Sequence, residues 1–340
     1  MSRQFSQLAL QRIALVVVGA IALGSGSCAD PATISEAELP EAEVAAGSED
    51  ALQVVTTFLP MTQFATAVAG DRAEVVQLLP PNIGPHDYQA RPEDVRAMAN
   101  ADVLVKNGLE AELFLDGMIE NAENADLAIV DSSEGVATLE GVDDHDHGHD
   151  HGHDEGDEHG EEEAHGGADP HIWLDPKRAI EQVENIRDGL IAADPEGEAE
   201  YRANAEAFAA KLTALDAEIA ETLSPFEGQT FVILHDFAAY FADSYGLQFQ
   251  ALVDVPEENP SPDDVKQVMD TVQAEGLKTL LGEPQVERQS FEAIARDLGI
   301  SIRVFDPMET GESTASQPDY YLDVMRQNAE NLATGFETSK

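Results

Sequence analysis

One apolar stripe limits the folds open to this chain more than any other feature. Its members recur at steps of four and three residues, the spacing of one helix face: Tyr201, Ala205, Phe208, Leu212, Leu215, Ile219 and Leu223. Asp194-Pro195 predicts the start of this helix as an N-cap and first-turn pair, and Ser224-Pro225 predicts its end. About 28 residues at 1.5 Å each give roughly 42 Å, enough to run across two lobes.

Strand-length apolar runs lie on both sides of this helix. Four precede it, at residues 54–57, 74–79, 102–106 and 127–130, and four follow it, at residues 230–234, 249–255, 278–281 and 302–305. Helical patterns separate them, for example the one opened by Arg91-Pro92-Glu93-Asp94. Strands alternating with helices predict parallel sheets covered by helices. We therefore expect an α/β protein of two lobes, each a mostly parallel sheet, joined by the long helix. A coiled-coil arm is the alternative for that helix.

The charge of the chain excludes several partners. Its 340 residues hold 67 Asp+Glu against 18 Lys+Arg, a net charge of −49. Nucleic acid and anionic lipid both need a basic surface, so neither is an expected partner. Yet 43% of the residues are hydrophobic, enough for a packed core. We interpret the charge as a heavily solvated surface, and attraction of cations is an alternative that charge alone does not separate.

The first 50 residues read as an export signal and a tether. Arg3 and Arg12 precede an apolar run at residues 13–23, which is shorter than the roughly 20 residues of a membrane span. Cys28, the single cysteine, lies where a bacterial lipoprotein is cleaved and acylated, although residues 25–27 lack the usual leucine. We expect residues 1–28 to be a lipoprotein-type signal peptide and residues 29–50 a flexible acidic tether. Ordinary cleavage after Ala29 is the alternative.

Seven of the ten histidines lie in one tract rich in Asp, Glu and Gly. They are His145, His147, His149, His151, His153, His159 and His165. The tract has almost no apolar residue, so we expect a disordered loop over residues 140–168. Alternating imidazoles and carboxylates on a flexible chain bind transition-metal ions weakly. An inert spacer is the alternative.

The other three histidines each have a stiff local context. His86 lies in a proline-rich loop after a strand, His171 precedes a helix start with Asp175 as N-cap, and His235 ends a strand. Asp306 ends a strand in the same way. Ligands of open α/β sheets bind beyond the carboxyl ends of strands. Three imidazoles and one carboxylate suit zinc, or manganese in a more open geometry.

Several stretches of the chain resemble a known family. GPHDY, DPHIWLDP, FVILHDFAAYFADSYGL, LGEPQ and VFDP occur in family order between residue 53 and the C-terminus. With them the chain resembles the zinc/manganese solute-binding proteins of bacterial ABC importers (cluster A-I), which include zinc-uptake receptors. The resemblance implies that His86, His171, His235 and Asp306 hold the metal, although some zinc-type members replace the acidic ligand with water. A His-rich loop before the second ligand favours zinc over manganese.

The resemblance also implies an architecture and a function. We expect an N-terminal lobe at residues 51–175, linking helices at 176–224 and a C-terminal lobe at 225–340, with the metal in the cleft. The protein would be a monomeric receptor that captures Zn²⁺ and delivers it to a membrane permease, with Mn²⁺ as the alternative ion. It would lie in the periplasm or on the outer face of the cytoplasmic membrane, anchored through Cys28.

Two other functions use the same residues. A secreted zinc hydrolase needs an open metal position and a general base. The chain has no HExxH motif, and the candidate base, Glu283 in LGEPQ, is expected to be exposed or helix-capping. We therefore predict that the protein is not an enzyme. A surface metal buffer or adhesin would differ only in lacking a permease.

Overall fold

A computed structural model of the chain describes its folded part. The described residues are 51–86, 88–139, 167–253, 261–284, 289–312 and 314–339, and all of them belong to one compact unit, Gly47–Lys340. The predicted signal peptide, Cys28, the tether and the histidine tract lie outside the described residues.

The first lobe is built on a four-stranded parallel sheet. Its strands are β1 (Leu52–Thr56), β2 (Ala73–Gln77), β3 (Val103–Lys106) and β4 (Ala128–Asp131), in the order β2-β1-β3-β4. Its helices are α1 (Leu59–Ala69), α2 (Pro92–Ala99) and α3 (Leu115–Ala122). Because all four strands are parallel, their carboxyl ends lie at one edge of the sheet. His86 lies in the loop that leaves this edge after β2.

Two helices connect the lobes. They are α4 (Pro176–Ala193) and α5 (Glu198–Leu223). Asp175 caps α4, its side chain accepting a 3.1 Å hydrogen bond from the Lys177 amide, which confirms that prediction. The 26 residues of α5 give about 39 Å. Its buried residues are the seven of the predicted stripe, and they pack the helix against α4 and α1.

The predicted start of the long helix is confirmed in position, with Asp194 at the N-cap and Pro195 in the first turn, but the expected side-chain cap does not form. The Asp194 side chain makes no cap hydrogen bond, and a 3₁₀ turn, Pro195–Gly197, precedes α5. The Asp194 carboxylate instead accepts hydrogen bonds from Arg72 and, at 2.9 Å, from the Tyr201 hydroxyl. The hydrogen bonds from Arg72 lower the pKa of Asp194 to about 2. Arg72 lies in the first lobe, so this carboxylate joins the lobe to the start of the long helix.

The second lobe contains two parallel strand pairs. The strands are β5 (Thr230–His235), β6 (Gln248–Val253), β7 (Thr279–Gly282) and β8 (Ser301–Val304), with β5 paired to β6 and β7 to β8. β5 lies beside β7. The helices are α6 (Ala239–Ser244), α7 (Pro262–Glu275), α8 (Gln289–Leu298) and α9 (Pro318–Ser339), and α9 packs on α5 and α1.

The predicted fold class is confirmed. Each of the eight predicted strands is present, with ends displaced by at most two residues. Parallel sheets flanked by helices lie before and after the long helix. In the part of the chain that the structure describes, no helix combines the length and the apolarity needed to cross a bilayer.

Candidate metal site

Four side chains converge where strands of both lobes end. His86 comes from the loop after β2, and His171 from the turn that precedes Ile172–Leu174. His235 is the last residue of β5, and Glu309 lies in the loop after β8. One potential ligand atom from each residue lies within 4.8 Å of the others. The site therefore draws on four separate segments of the chain.

The three imidazoles surround one carboxylate oxygen. Glu309 Oε1 lies 3.2 Å from Nε2 of His86, 3.3 Å from Nε2 of His171 and 3.7 Å from Nε2 of His235. The ring centroids are 5.7–6.1 Å apart. Among the described residues, Nε2 of His171 and of His235 are buried and form no hydrogen bond of normal geometry. Buried polar atoms normally have partners, so these nitrogens are placed to bind an ion.

A carboxylate supports each of the two buried imidazoles from behind. Asp169 Oδ1 lies 2.7 Å from Nδ1 of His171 and also accepts the His171 amide at 2.9 Å. Glu283 Oε1 lies 2.7 Å from Nδ1 of His235. A proton held at Nδ1 leaves Nε2 with a free lone pair, which is the arrangement that metal-binding histidines use. The carboxylates therefore orient both rings toward the common centre.

The expected exposure of Glu283 is wrong. Its side chain is 1% exposed and lies against His235. Glu283 directly follows β7, and β7 lies beside β5, so the two strands bring Glu283 to the ring of His235. The adjacency of β5 and β7 is a tertiary contact between segments 48 residues apart, which local sequence signals do not show.

His86 differs from the other two histidines. Its side chain is 21% exposed, against 5% for His171 and 0% for His235. Among the described residues, its side chain makes a polar contact with Glu309. The loop that carries it is held to the Glu309 loop by a 2.6 Å hydrogen bond from the Gly311 amide to the Pro81 carbonyl. His86 therefore faces the side of the site that solvent reaches.

The electrostatics of the cluster favour protonated imidazoles when no ion is bound. Burial lowers the pKa of His171, but the hydrogen bond with Asp169 and the negative charges of Asp169 and Glu309 outweigh it and raise the pKa to about 10. Burial also lowers the pKa of His235, but Glu283 and Glu309 outweigh it and raise the pKa to about 9. Burial alone would raise the pKa of Glu309, but its close contacts with the three histidines hold it well below its usual value. An arriving cation must therefore displace protons.

Asp306 is not part of this group, although the sequence predicted it as the fourth ligand. Its Oδ1 accepts a 2.8 Å hydrogen bond from the Met308 amide, and Asn328 holds its backbone N–H and C=O at 2.8 Å each. Met308 has a φ of 61°, and the turn carries Glu309 into the cluster. The structure thus groups Glu309, and not Asp306, with the three predicted histidines. The available signal was a second carboxylate on the same loop, three residues on.

Comparison with known proteins places the chain in a family. Residues 54–335 match ZnuA, described as zinc-uptake complex component A, periplasmic, and the chain belongs to this family. The zinc-binding protein AdcA of Streptococcus pyogenes is 32% identical over 289 residues, which are 84% of this chain and 56% of AdcA. The manganese-binding lipoprotein MntA of Halalkalibacterium halodurans is 29% identical over 299 residues, 86% of this chain and 92% of MntA.

A solved structure has the same fold. The crystal structure of ZnuA superimposes with a TM-score of 0.69 at 29% identity and covers 84% of this chain and 99% of ZnuA. This chain spans only about half the length of AdcA. The family and these relatives are named for metal binding and uptake, so the chain is not an enzyme, and the hydrolase alternative is set aside.

Proposed function

We propose that this protein is an extracytoplasmic receptor that captures Zn²⁺ and delivers it to an ABC importer. The supporting observation is the convergence of three imidazole nitrogens and one carboxylate oxygen within 4.8 Å. In this proposal His86, His171, His235 and Glu309 hold the ion. Three nitrogens and one oxygen are a set that Zn²⁺ binds as a tetrahedron. A fourth protein ligand would close the site and leave no open position for a catalytic water.

Manganese is the alternative cargo. Similarity to MntA extends over 92% of that protein, so family membership alone does not choose the ion. The donor set favours zinc because Mn²⁺ prefers oxygen ligands and lies lowest in the usual affinity order of divalent ions. We expect Zn²⁺ to displace Mn²⁺ from the site, and tighter binding of Mn²⁺ would reverse the assignment.

The partner and the location belong to the same proposal. A membrane permease would receive the ion from a monomeric receptor whose lobes are residues 51–175 and 225–340, linked by residues 176–224. The similarity to the lipoprotein MntA supports a position outside the cytoplasmic membrane, with Cys28 as the lipid attachment site. The histidine tract would bind further ions weakly. Replacement Cys28→Ala should move the protein from the membrane fraction to the soluble extract, and unchanged membrane association would contradict lipidation there.

Zinc titration tests the central proposal. The metal-free protein and a variant lacking residues 143–165 are titrated against a chromophoric zinc chelator, and bound metal is counted by elemental analysis. We expect about one tightly held Zn²⁺ per chain in both proteins, and additional weak ions only in the full chain. Loss of the tight site together with the tract would overturn the proposal, because the tight site would then be the tract itself.

Two matched variants test which carboxylate is the fourth ligand. Glu309→Gln removes the central carboxylate charge, and we expect a marked loss of zinc affinity. Asp306→Asn keeps an oxygen that can accept from the Met308 amide, so its zinc affinity should stay close to that of the wild type. Both are measured by the same chelator competition. The opposite ranking would return the ligand role to Asp306.

A further inference from the structure

One tyrosine of the second lobe lies inside the first. Tyr240, on α6, is fully buried. It packs with Val136 and Ile172, and Leu109 and Leu139 close the edge of this small apolar cluster. The ring is thus fixed among residues that flank the metal site, while its own segment begins at His235.

The Tyr240 hydroxyl bridges two chain segments. It accepts a 3.1 Å hydrogen bond from the Leu139 amide and donates a 2.7 Å hydrogen bond to the Asp169 carbonyl. The Asp169 amide in turn donates to the Leu139 carbonyl at 3.2 Å. Burial raises the pKa of Tyr240, so the hydroxyl keeps the proton that it donates. The backbone of Asp169 is therefore held on both its N–H and its C=O.

The orientation of the ring is also fixed. The Arg178 guanidinium lies 4.6 Å from the centre of the Tyr240 ring. Arg178 donates hydrogen bonds to the Ala137 carbonyl at 2.8 Å and to Asp175 at 2.6 Å. A cation stacked on the ring and tied at two further points leaves the phenol little freedom to turn. The hydroxyl thus stays aimed at Leu139 and Asp169.

We propose that the Tyr240 hydroxyl is a positioning residue for the metal site, holding Asp169 and, through it, the His171 ring. The proposal rests on the proposed function of the site. Asp169 supports His171 directly, while Tyr240 lies five residues after His235 on one continuous segment. A single side chain therefore links two ligands that come from different lobes. When the hydroxyl is lost, the Asp169 carboxylate loses its fixed position and the His171 ring its orientation.

The variant Tyr240→Phe tests this role. It keeps the ring, the apolar cluster and the guanidinium stacking, and removes only the two hydrogen bonds. Loss of a direct carboxylate partner weakens metal binding by roughly 10–100-fold, so a group one step further out should cost about 3–10-fold. Tyr245→Phe is the matched control, because the Tyr245 hydroxyl bonds to Asp216, away from the site. We expect the control to bind Zn²⁺ like the wild type.

A spectroscopic signal separates positioning from a merely structural role. In the zinc-bound protein, the Nδ1 protons of His171 and His235 are each held by a carboxylate and can be observed as slowly exchanging imidazole resonances. In Tyr240→Phe we expect the His171 proton to exchange faster and shift, while the His235 proton is unchanged. Simultaneous loss of both signals would mark a general loosening and would contradict the proposal.

A double-mutant cycle completes the test. Once Asp169→Asn has removed the carboxylate, Tyr240→Phe should add less than twofold to the loss of zinc affinity. Full additivity of the two losses would overturn the proposal, and so would a Tyr240→Phe variant with wild-type affinity and an unchanged His171 resonance. Failure of the wild-type protein itself to bind Zn²⁺ is a different result, because it would remove the proposed function first.

Discussion

The two buried histidines of the site and the exposed one are built in different ways. His171 and His235 each have a carboxylate at Nδ1 and almost no exposed surface. His86 lies on a proline-rich loop, has a side chain that is 21% exposed, and contacts Glu309. The buried pair is thus oriented before an ion arrives, whereas His86 is the ligand that solvent and an incoming ion can reach. The site therefore has two parts: a rigid base, formed by the buried His171 and His235, and an accessible face, formed by His86.

The same interactions that orient the buried pair also stabilise the metal-free protein. Glu283 and Glu309 are carboxylates with 1% and 2% exposed side chains, and the protonated imidazoles compensate their charge. A buried carboxylate without a cation is costly.

Removal of His235 should cost the most. In His235→Ala the Glu283 carboxylate loses its buried partner, and breaking a buried pair in this way destabilises a protein by about 3–5 kcal/mol. His86→Ala is the control, since a partly exposed pair contributes about 1 kcal/mol or less. The free energy of unfolding is measured in urea at pH 7 with a chelator present. Equal losses of unfolding free energy in His235→Ala and His86→Ala would contradict the division into a rigid base and an accessible face.

Zinc affinity should rise steeply with pH. His171 and His235 have pKa values raised to about 10 and 9, so both carry a proton at pH 7 that the ion must displace. Loss of two protons predicts an increase of about a hundredfold in affinity per pH unit between pH 7 and 8. Chelator competition at several pH values gives the slope, and calorimetry in two buffers counts the protons. A slope near zero would show that neither imidazole is protonated.

The stability of the metal-free protein should decrease as the pH rises, whereas its zinc affinity increases. Both imidazoles have folded-state pKa values above the ordinary value of 6.5, so their contribution is fully present below that pH. It is lost as pH rises through about 9 to 10. The unfolding temperature with a chelator present should therefore decrease from pH 7 to 10, while the zinc-bound protein is protected by tighter binding.

Loss of a supporting carboxylate should have an intermediate effect on the ion. Asp169→Asn and Glu283→Gln are each expected to weaken zinc binding by roughly 10–100-fold. Because the neutral side chain also lowers the pKa of the adjacent histidine, competing protons leave more easily, so the loss should be larger at pH 9 than at pH 7. Chelator competition at the two pH values tests this. If the loss of zinc affinity were the same at both pH values, the carboxylates would orient the histidines without controlling their protonation.

Loss of the exposed ligand should have the smallest effect on affinity. In His86→Ala a water molecule can take the vacant position, as in zinc sites with three protein ligands. We expect a loss of about tenfold, or about 1.4 kcal/mol, expressed mainly as faster zinc release. Stopped-flow chelation measures the release rate. If His86→Ala lost as much zinc affinity as His235→Ala in the same measurement, His86 would belong to the rigid base.

Much of the fold was predictable because its signals are local. The apolar stripe of α5 lies on the predicted face, and Asp175 caps α4 as expected. The three histidines outside the tract were selected by their place at the ends of strands, and the structure brings them together. Helix and strand periodicity fixes which side chains share a face, and the direction of parallel strands fixes which ends meet.

The errors all concern polar side chains with distant partners. The Asp194 side chain was expected to cap a helix, but its carboxylate instead accepts a hydrogen bond from Arg72, which lies 122 residues away in the sequence. Glu283 was expected to be exposed or to cap a helix, but its carboxylate lies against His235, 48 residues away. A carboxylate in a turn bonds to whichever donor the tertiary structure supplies, so residue type and local spacing do not determine its direction.

The sequence by itself determined the architecture and the chemical character of the site. Periodicity identified the strands and the long helix, and the sparse histidines outside the tract identified the nitrogen donors. Only the tertiary structure decided that Glu309 joins them, that Glu283 supports His235 and that Tyr240 reaches across to Asp169. The physical reason is that these contacts join segments between 48 and 223 residues apart, whose approach depends on packing of the whole unit.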